Sequence, residues 1–297
     1  MSTLKNSPLI LLIVFLAACS AKPASETPIS PSLPAETATP APPTATSVPM
    51  AFTVNGEGLP LEEFNAELER YRQAQAALQI EISEKQARQN VIEDLTAQVL
   101  LAQAARQSGF SLDEAALQER IDSLTAQLGG ADALSAWQLA HTYDEAGFRS
   151  ALKRDIEAAQ MRDQIIASVP PTTEQVHIRQ ILTYNQEDAE KALARLESGT
   201  DFDELAALYD PATRGDIGWF PRGYLSLTVI EEAAFGLEVN GTSAIIESEI
   251  GFHILKLIER DPAHPLAFEA LLALQASALT EWVETRRAES EIVILTQ

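Results

Sequence analysis

Arg214-Gly-Asp-Ile-Gly-Trp-Phe220 lies where glycine gathers: seven of the thirteen glycines fall between 199 and 251, so turns become frequent and helices short. Upstream, Val176 to Tyr184 alternates towards a strand. Glu187 to Leu196 reads as a helix closed by Gly199, and Asp201 to Tyr209 as a second. Downstream, Thr228 to Phe235 is a third short helix and Asn240-Gly241 a turn signal. The β-rich runs 243–248 and 252–259 flank Gly251 as a hairpin. The order β-α-α-β-α-β-β over residues 172–261 predicts a small α/β domain.

Outside this block the apolar period is helical. Leu61, Phe64, Leu68, Tyr71 and Leu78 share one face of a helix that follows a short strand and turn, Ala51-Phe-Thr-Val-Asn-Gly56. Three capping boxes, Ser83-Glu-Lys-Gln86, Ser111-Leu-Asp-Glu114 and Thr142-Tyr-Asp-Glu145, open further helices. Their apolar stripes run through Ile92, Leu95, Val99 and Ala102, then Leu117, Ile121, Leu124 and Leu128, then Phe148, Leu152, Ile156 and Ile165. Gly109, Gly129-Gly130 and Pro170-Pro171 are the respective stops. A last helix carries Leu266, Leu271, Leu274, Leu279, Trp282 and Val283, and an alternating strand follows at Glu291-Ile-Val-Ile-Leu295. That strand needs a partner, and 51–54 is the available one. Their pairing makes the helical module discontinuous, built from residues 51–171 and 262–297 with the α/β domain inserted.

Lys5 precedes ten uninterrupted apolar residues, Leu9 to Ala18. The run is too short for a helix that spans a bilayer, which takes roughly 20 residues, and it fits the core of a secretory signal over residues 1–18. Leu16-Ala17-Ala18-Cys19 resembles the bacterial lipobox, so Cys19, the only cysteine, is the expected lipidation site. Eight of the sixteen prolines lie between Lys22 and Pro49. Such a composition cannot bury enough apolar surface to offset its ordering entropy, so 19–50 reads as a tether.

Twenty-one Lys and Arg against 43 Asp and Glu give a net charge of −22. Binding to a phosphate backbone depends on Lys and Arg displacing counterions, so nucleic acid is excluded as a partner. Contact with the membrane is expected through the N-terminal lipid only. One cysteine excludes intrachain disulfides and cysteine-rich zinc sites. The four histidines are too scattered for a metal cluster. Neither a metal nor a cofactor is expected.

Several runs are similar to secreted foldases of the SurA and PrsA type, which join a helical chaperone module to a parvulin (PpiC-type) prolyl isomerase domain. Arg214 to Phe220 resembles the parvulin R-G-D-L-G-W-F run. Ile230-Glu-Glu-Ala-Ala-Phe-Gly-Leu237 resembles the family's short helix, and Gly251-Phe-His-Ile-Leu255 its final G-Y-H-I-I strand. The Val54-Asn-Gly56 opening and the tail around Trp282 are similar with looser motifs. The fold implied is α+β: a helical, SurA N-terminal-like chaperone module with an inserted parvulin domain.

The activity implied by the resemblance is rotation about X-Pro bonds of unfolded or nascent exported polypeptides, without cofactor. The resemblance places the proline pocket at Ile217, Leu225, Ile230 and Phe235, and one of the family's two facing imidazoles at His253. Where parvulins read A-R-H-I-L, this chain has Ile178-Arg-Gln-Ile-Leu182, so Gln180 takes the other imidazole's place; an amide hydrogen-bonds but does not titrate. His177 is three residues earlier, and that odd offset turns it to the opposite face. The loop between Tyr209 and Arg214 is shorter than usual and leaves Asp210 as its acidic residue. Arg214 and Asp216 are expected to pair and shape that loop. His141 and His264 are expected in loops. The alternative function is a holdase whose parvulin domain binds clients without catalysis.

Overall fold

The computed structural model describes residues 48–296, so the signal sequence, Cys19 and nearly all of the tether lie outside the described residues. Strand β1 (Met50–Val54) turns at Asn55-Gly56 into β2 (Glu57–Pro60). Both turn residues have positive φ, 51° and 81°, the backbone of a two-residue hairpin whose twist matches that of its strands. Five helices follow: α1 (Leu61–Ala77), α2 (Glu84–Gln107), α3 (Glu114–Leu128), α4 (Ala131–Ala140) and α5 (Glu145–Ser168). Then come β3 (Thr172–Thr183), α6 (Gln186–Glu197), α7 (Phe202–Tyr209), β4 (Asp216–Pro221), α8 (Thr228–Gly236), β5 (Ile246–Ser248) and β6 (Gly251–Pro265). The chain returns through α9 (Phe268–Ala288) to β7 (Ile292–Ile294). The β-α-α-β-α-β-β order of the middle block is the one expected.

The two ends of the described chain meet. β7 pairs antiparallel with β1, Phe52 opposite Ile294 and Val54 opposite Ile292, in a three-stranded sheet of order β2-β1-β7. Phe52 and Val54 face a core with Phe64 and Leu68 of α1 and Val91, Leu95 and Val99 of α2. Each such buried side chain contributes about 1.5–3 kcal/mol relative to exposure. α9 packs with α2 and α5 around Leu101, Ala102, Ala158 and Ile165, with Leu279 and Trp282 at the margin. A satellite core of Leu117, Ile121, Leu134 and Phe148 joins α3, α4 and α5. The helical module is thus made from both ends of the chain.

Some local expectations change. β2 stands between the turn and α1, and α4 occupies a stretch given no element from sequence. Leu78 is a C-cap, 57% exposed. Ser83 caps α2 as expected, accepting the Gln86 N–H. Asp113 and Asp144, not Ser111 and Thr142, cap α3 and α5, each accepting an N–H three residues on. A carboxylate at the N-cap also meets the positive end of the helix dipole, which a hydroxyl cannot match.

The inserted domain is a four-stranded antiparallel sheet of order β4-β3-β6-β5. α6 and α7 cover one face through Ile181, Ala192, Phe202, Leu205 and Ile254. α8 covers the other through Val176, Ile178, Ile230, Phe235, Leu255 and Leu257. β3 and β6 stay paired as far as Thr172 and Pro265, so both crossings into the helical module are part of one ladder. Gln175, 1% exposed, donates from its amide to the carbonyls of His264 and Pro265 across that ladder.

Candidate active site

Alternation along β3 and β6 puts Gln180 and His253 on the α8 side of the sheet, in line with Ile178 and with Leu255. His253 is 1% exposed. Its Nδ1 lies 2.9 Å from Oε1 of Gln180, and its Nε2 lies 2.7 Å from Oγ of Ser248 in β5. With the amide oxygen towards the ring, Nδ1–H donates to Gln180 and Nε2 accepts from the Ser248 hydroxyl. Ser248 also accepts the Ile250 N–H. Both ring nitrogens are therefore partnered in the neutral ring. Burial holds the imidazole below its usual pKa of 6.5, since water is excluded from the charged form.

Three of the four expected pocket residues come together. Leu225, Ile230 and Phe235 join one apolar cluster with Phe220, Val176 and Leu255. Phe235 meets Phe220 edge-on at 6.1 Å, and the Arg222 guanidinium covers its ring at 4.0 Å. Ile217 stands apart. The β3–β4 register skips it, since Ile178 faces Gly218 and Arg179 faces Asp216, and this bulge leaves it 38% exposed.

Asp210 is the C-cap of α7, and its carboxylate turns into its own loop. It accepts the N–H groups of Ala212, Thr213 and Gly215 and the Thr213 hydroxyl. The Thr213 hydroxyl and these backbone donors hold its pKa below the usual carboxylate value. Among the described residues no hydrogen bond links it to Gln180 or His253. It reaches the site through the backbone: Gly215, at the end of the loop, accepts the Gln180 N–H at 2.8 Å. A Cβ on Gly215 would lie 2.0 Å from the Gln180 carbonyl oxygen, and φ is +73°, so only glycine fits that approach.

The expected Arg214–Asp216 pair does not form. Asp216 binds His177 at 2.7 Å, and among the described residues Arg214 has no ion pair. The reason is the odd offset of His177: it shares the face opposite Gln180 with Trp219 and comes within reach of Asp216 across the bulge. His264 is in β6 rather than a loop, opposite Thr173 and stacked on Trp219 at 4.1 Å. Sequence reasoning missed two residues of the site. Ser248 is one. Glu231 is the other: its carboxylate accepts the N–H groups of Gly223, Tyr224 and Leu225 and so holds Leu225 against the apolar cluster. An acidic residue in the first turn of α8 following a Gly-Tyr loop was the available signal. Among the described residues no three His, Cys, Asp or Glu side chains gather as metal ligands do.

A four-stranded antiparallel sheet between a helix pair and a single helix, with a buried histidine facing the single helix, defines a parvulin-type domain. Residues 165–259 match the PPIC-type PPIASE domain and residues 44–152 the SurA-like N-terminal domain. A foldase protein PrsA of Halalkalibacterium halodurans is 40% identical over 95 residues, 30% of this chain and 28% of that one. A PrsA of Caldanaerobacter subterraneus is 29% identical over 193 residues, 57% and 56% of the two chains. A chaperone SurA of Albidiferax ferrireducens is 27% identical over 274 residues, 76% and 57%. The chain spans about three-tenths of the length of three PrsA relatives that it matches. The chain thus carries a parvulin-type (PPIC-type) peptidyl-prolyl isomerase domain and a SurA-like N-terminal domain, and the curated relatives it is similar to are named foldase protein PrsA and chaperone SurA.

Proposed function

We propose that the chain is a lipid-anchored extracytoplasmic foldase that rotates X-Pro bonds in unfolded exported polypeptides and holds those polypeptides while it does so. The observation that carries this is the buried, fully hydrogen-bonded His253 beside the apolar cluster of Leu225, Ile230 and Phe235. Rotation about an imide breaks no bond and moves no proton, but it meets a barrier of roughly 20 kcal/mol and takes 10–100 s unaided. Twisting removes amide resonance and with it charge separation. An apolar pocket that strips water from the carbonyl therefore favours the twisted form. No step requires a titrating group, so Gln180 in place of an imidazole costs the reaction no proton acceptor. What it must supply is a partner for His253, and its amide does so.

Anchoring is read from Leu16-Ala17-Ala18-Cys19 and the apolar run before it; no helix of the described residues is long and apolar enough to cross a membrane. We assign residues 1–18 to the signal, 19–50 to the lipidated tether, 51–171 and 262–297 to the chaperone module and 172–261 to the isomerase. One observation favours a second reading, a holdase without catalysis: Gln180 cannot form the imidazole pair. The test is the cis-to-trans rate of short X-Pro peptides, with aggregation of an unfolded client measured alongside. Acceleration abolished by Ile230→Arg supports the first reading. Suppressed aggregation without acceleration supports the second.

A further inference from the structure

Strand β7 closes the small sheet on β1 and leaves its other side open. Asn55 N–H donates to the Glu291 carbonyl and Leu295 N–H to the Ala51 carbonyl, and Thr53 faces Val293. Residues 291, 293 and 295 thus turn their backbone groups to β1, and Ile292 and Ile294 turn theirs outward. Among the described residues these outward groups have no strand beside them, since β7 ends the order β2-β1-β7. An unpaired strand edge is a template for another backbone. A groove of about 690 Å³ runs along it, floored by Ile92, Ile292 and Ile294 and walled by the first turns of α2 and the end of α9.

Its charge is unlike that of the rest of the molecule. In a chain of net charge −22, Lys85, Arg88 and Arg287 line this groove with Glu84 and Glu93. Glu84 is taken up by Arg72 from outside, and Lys85 and Arg287 form no ion pair among the described residues. Thr296, also in the lining, has a buried hydroxyl with no hydrogen-bond partner.

We infer that the β7 edge and this groove receive an extended acidic polypeptide segment, added as a fourth strand. Its backbone pairs with Ile292 and Ile294, and of its alternate side chains that face the groove the central ones are apolar and rest on Ile92 and Ile294 while the outer ones are carboxylates that meet Lys85 and Arg287. Strand addition accounts for both features at once: only a backbone matches the paired donors and acceptors of the edge, and only an acidic strand matches the cations. The inference deepens the holding half of the proposed function and is independent of prolyl rotation.

The test is fluorescence anisotropy of a labelled Glu-Thr-Val-Thr-Val-Thr-Glu-Thr peptide with the full chain, against the same peptide with Lys for Glu and two N-methylated forms, one methylated at every Thr and one at the other four residues. In a strand, alternate amides face the edge, so one N-methylated form is expected to weaken about tenfold or more while the other binds as before. The Lys-for-Glu peptide is expected to bind at least as poorly as the weakened form. Ile294→Pro, which removes an outward N–H and leaves the β1 pairing intact, is expected to abolish binding with an unchanged thermal melt and prolyl rate. Equal binding of both N-methylated forms, binding retained by Ile294→Pro, or no preference for Glu over Lys would overturn the inference. So would a concentration-dependent dimer that Ile294→Pro dissolves, because the edge would then belong to a second copy. Since the prolyl rate is read in parallel, failure here leaves the isomerase reading standing, and a zero rate leaves this one.

Discussion

Nδ1 of His253 lies 2.9 Å from Oε1 of Gln180, so an amide holds one side of the buried ring. The other ring nitrogen is held by Ser248. The two bonds orient a buried imidazole, and under the proposed function Gln180 is a positioning residue.

Gln180→Leu removes the partner of Nδ1 and leaves a buried polar atom unsatisfied, at about 1–3 kcal/mol. If about 1–2 kcal/mol of that appears in the rotation step, kcat/KM falls roughly 5–30-fold. Gln180→His, which supplies another hydrogen-bonding ring, is expected to stay within about threefold of the parent, well under one tenfold step of 1.36 kcal/mol. A large gain from Gln180→His would show that the amide is a defect.

The lowered pKa of His253 has a signed consequence. The folded protein binds this proton less readily than the unfolded chain, so its contribution to stability is present above the unfolded value of 6.5 and is lost as pH falls below it. Thermal melts between pH 7.5 and 5 should show a falling midpoint, and His253→Asn should flatten that slope. A slope unchanged by the substitution would assign it to other groups.

Asp210 separates a loop role from a charge role. Asn keeps an acceptor oxygen for the Ala212 and Thr213 N–H groups, and Ala keeps none. Asp210→Asn should retain most of the rate, whereas Asp210→Ala should lower the melting midpoint and the rate together. Equal loss of rate in both variants, with melts unchanged, would give the carboxylate a direct part in catalysis.

Gly215→Ala should be the most damaging small change near the site. Its Cβ would sit 2.0 Å from the Gln180 carbonyl at a φ of +73°, so the loop must lift and break the Gln180 N–H bond to Gly215. Loss of activity with a reduced denaturation midpoint is the expected result; a variant indistinguishable from the parent would mean that the loop does not brace β3.

The helical stripes, the strand at 176–184 and the pairing of 51–54 with the tail were legible because each rests on local periodicity or on one strand in need of a partner. β2 was hidden because Glu57-Gly58-Leu59-Pro60 has no alternation and ends in proline; pairing with β1 makes it a strand. α4 was hidden because only Leu134 of its ten residues is buried. His264 is in a strand because β3 reaches that far, across Pro262. In the site, His253, Gln180 and the apolar trio could be read from motif and parity. Ile217 could not, because a bulge moved it, and Ser248 and Glu231 could not, because their partners are set by tertiary contact.

The most direct test is the cis-to-trans rate of a short X-Pro peptide with the full chain, measured beside His253→Ala and Ile230→Arg, with circular dichroism to show that each variant is folded. The account predicts a rate clearly above the uncatalysed one that both substitutions reduce to background. No acceleration by the parent chain, whatever residue precedes the proline, would contradict it.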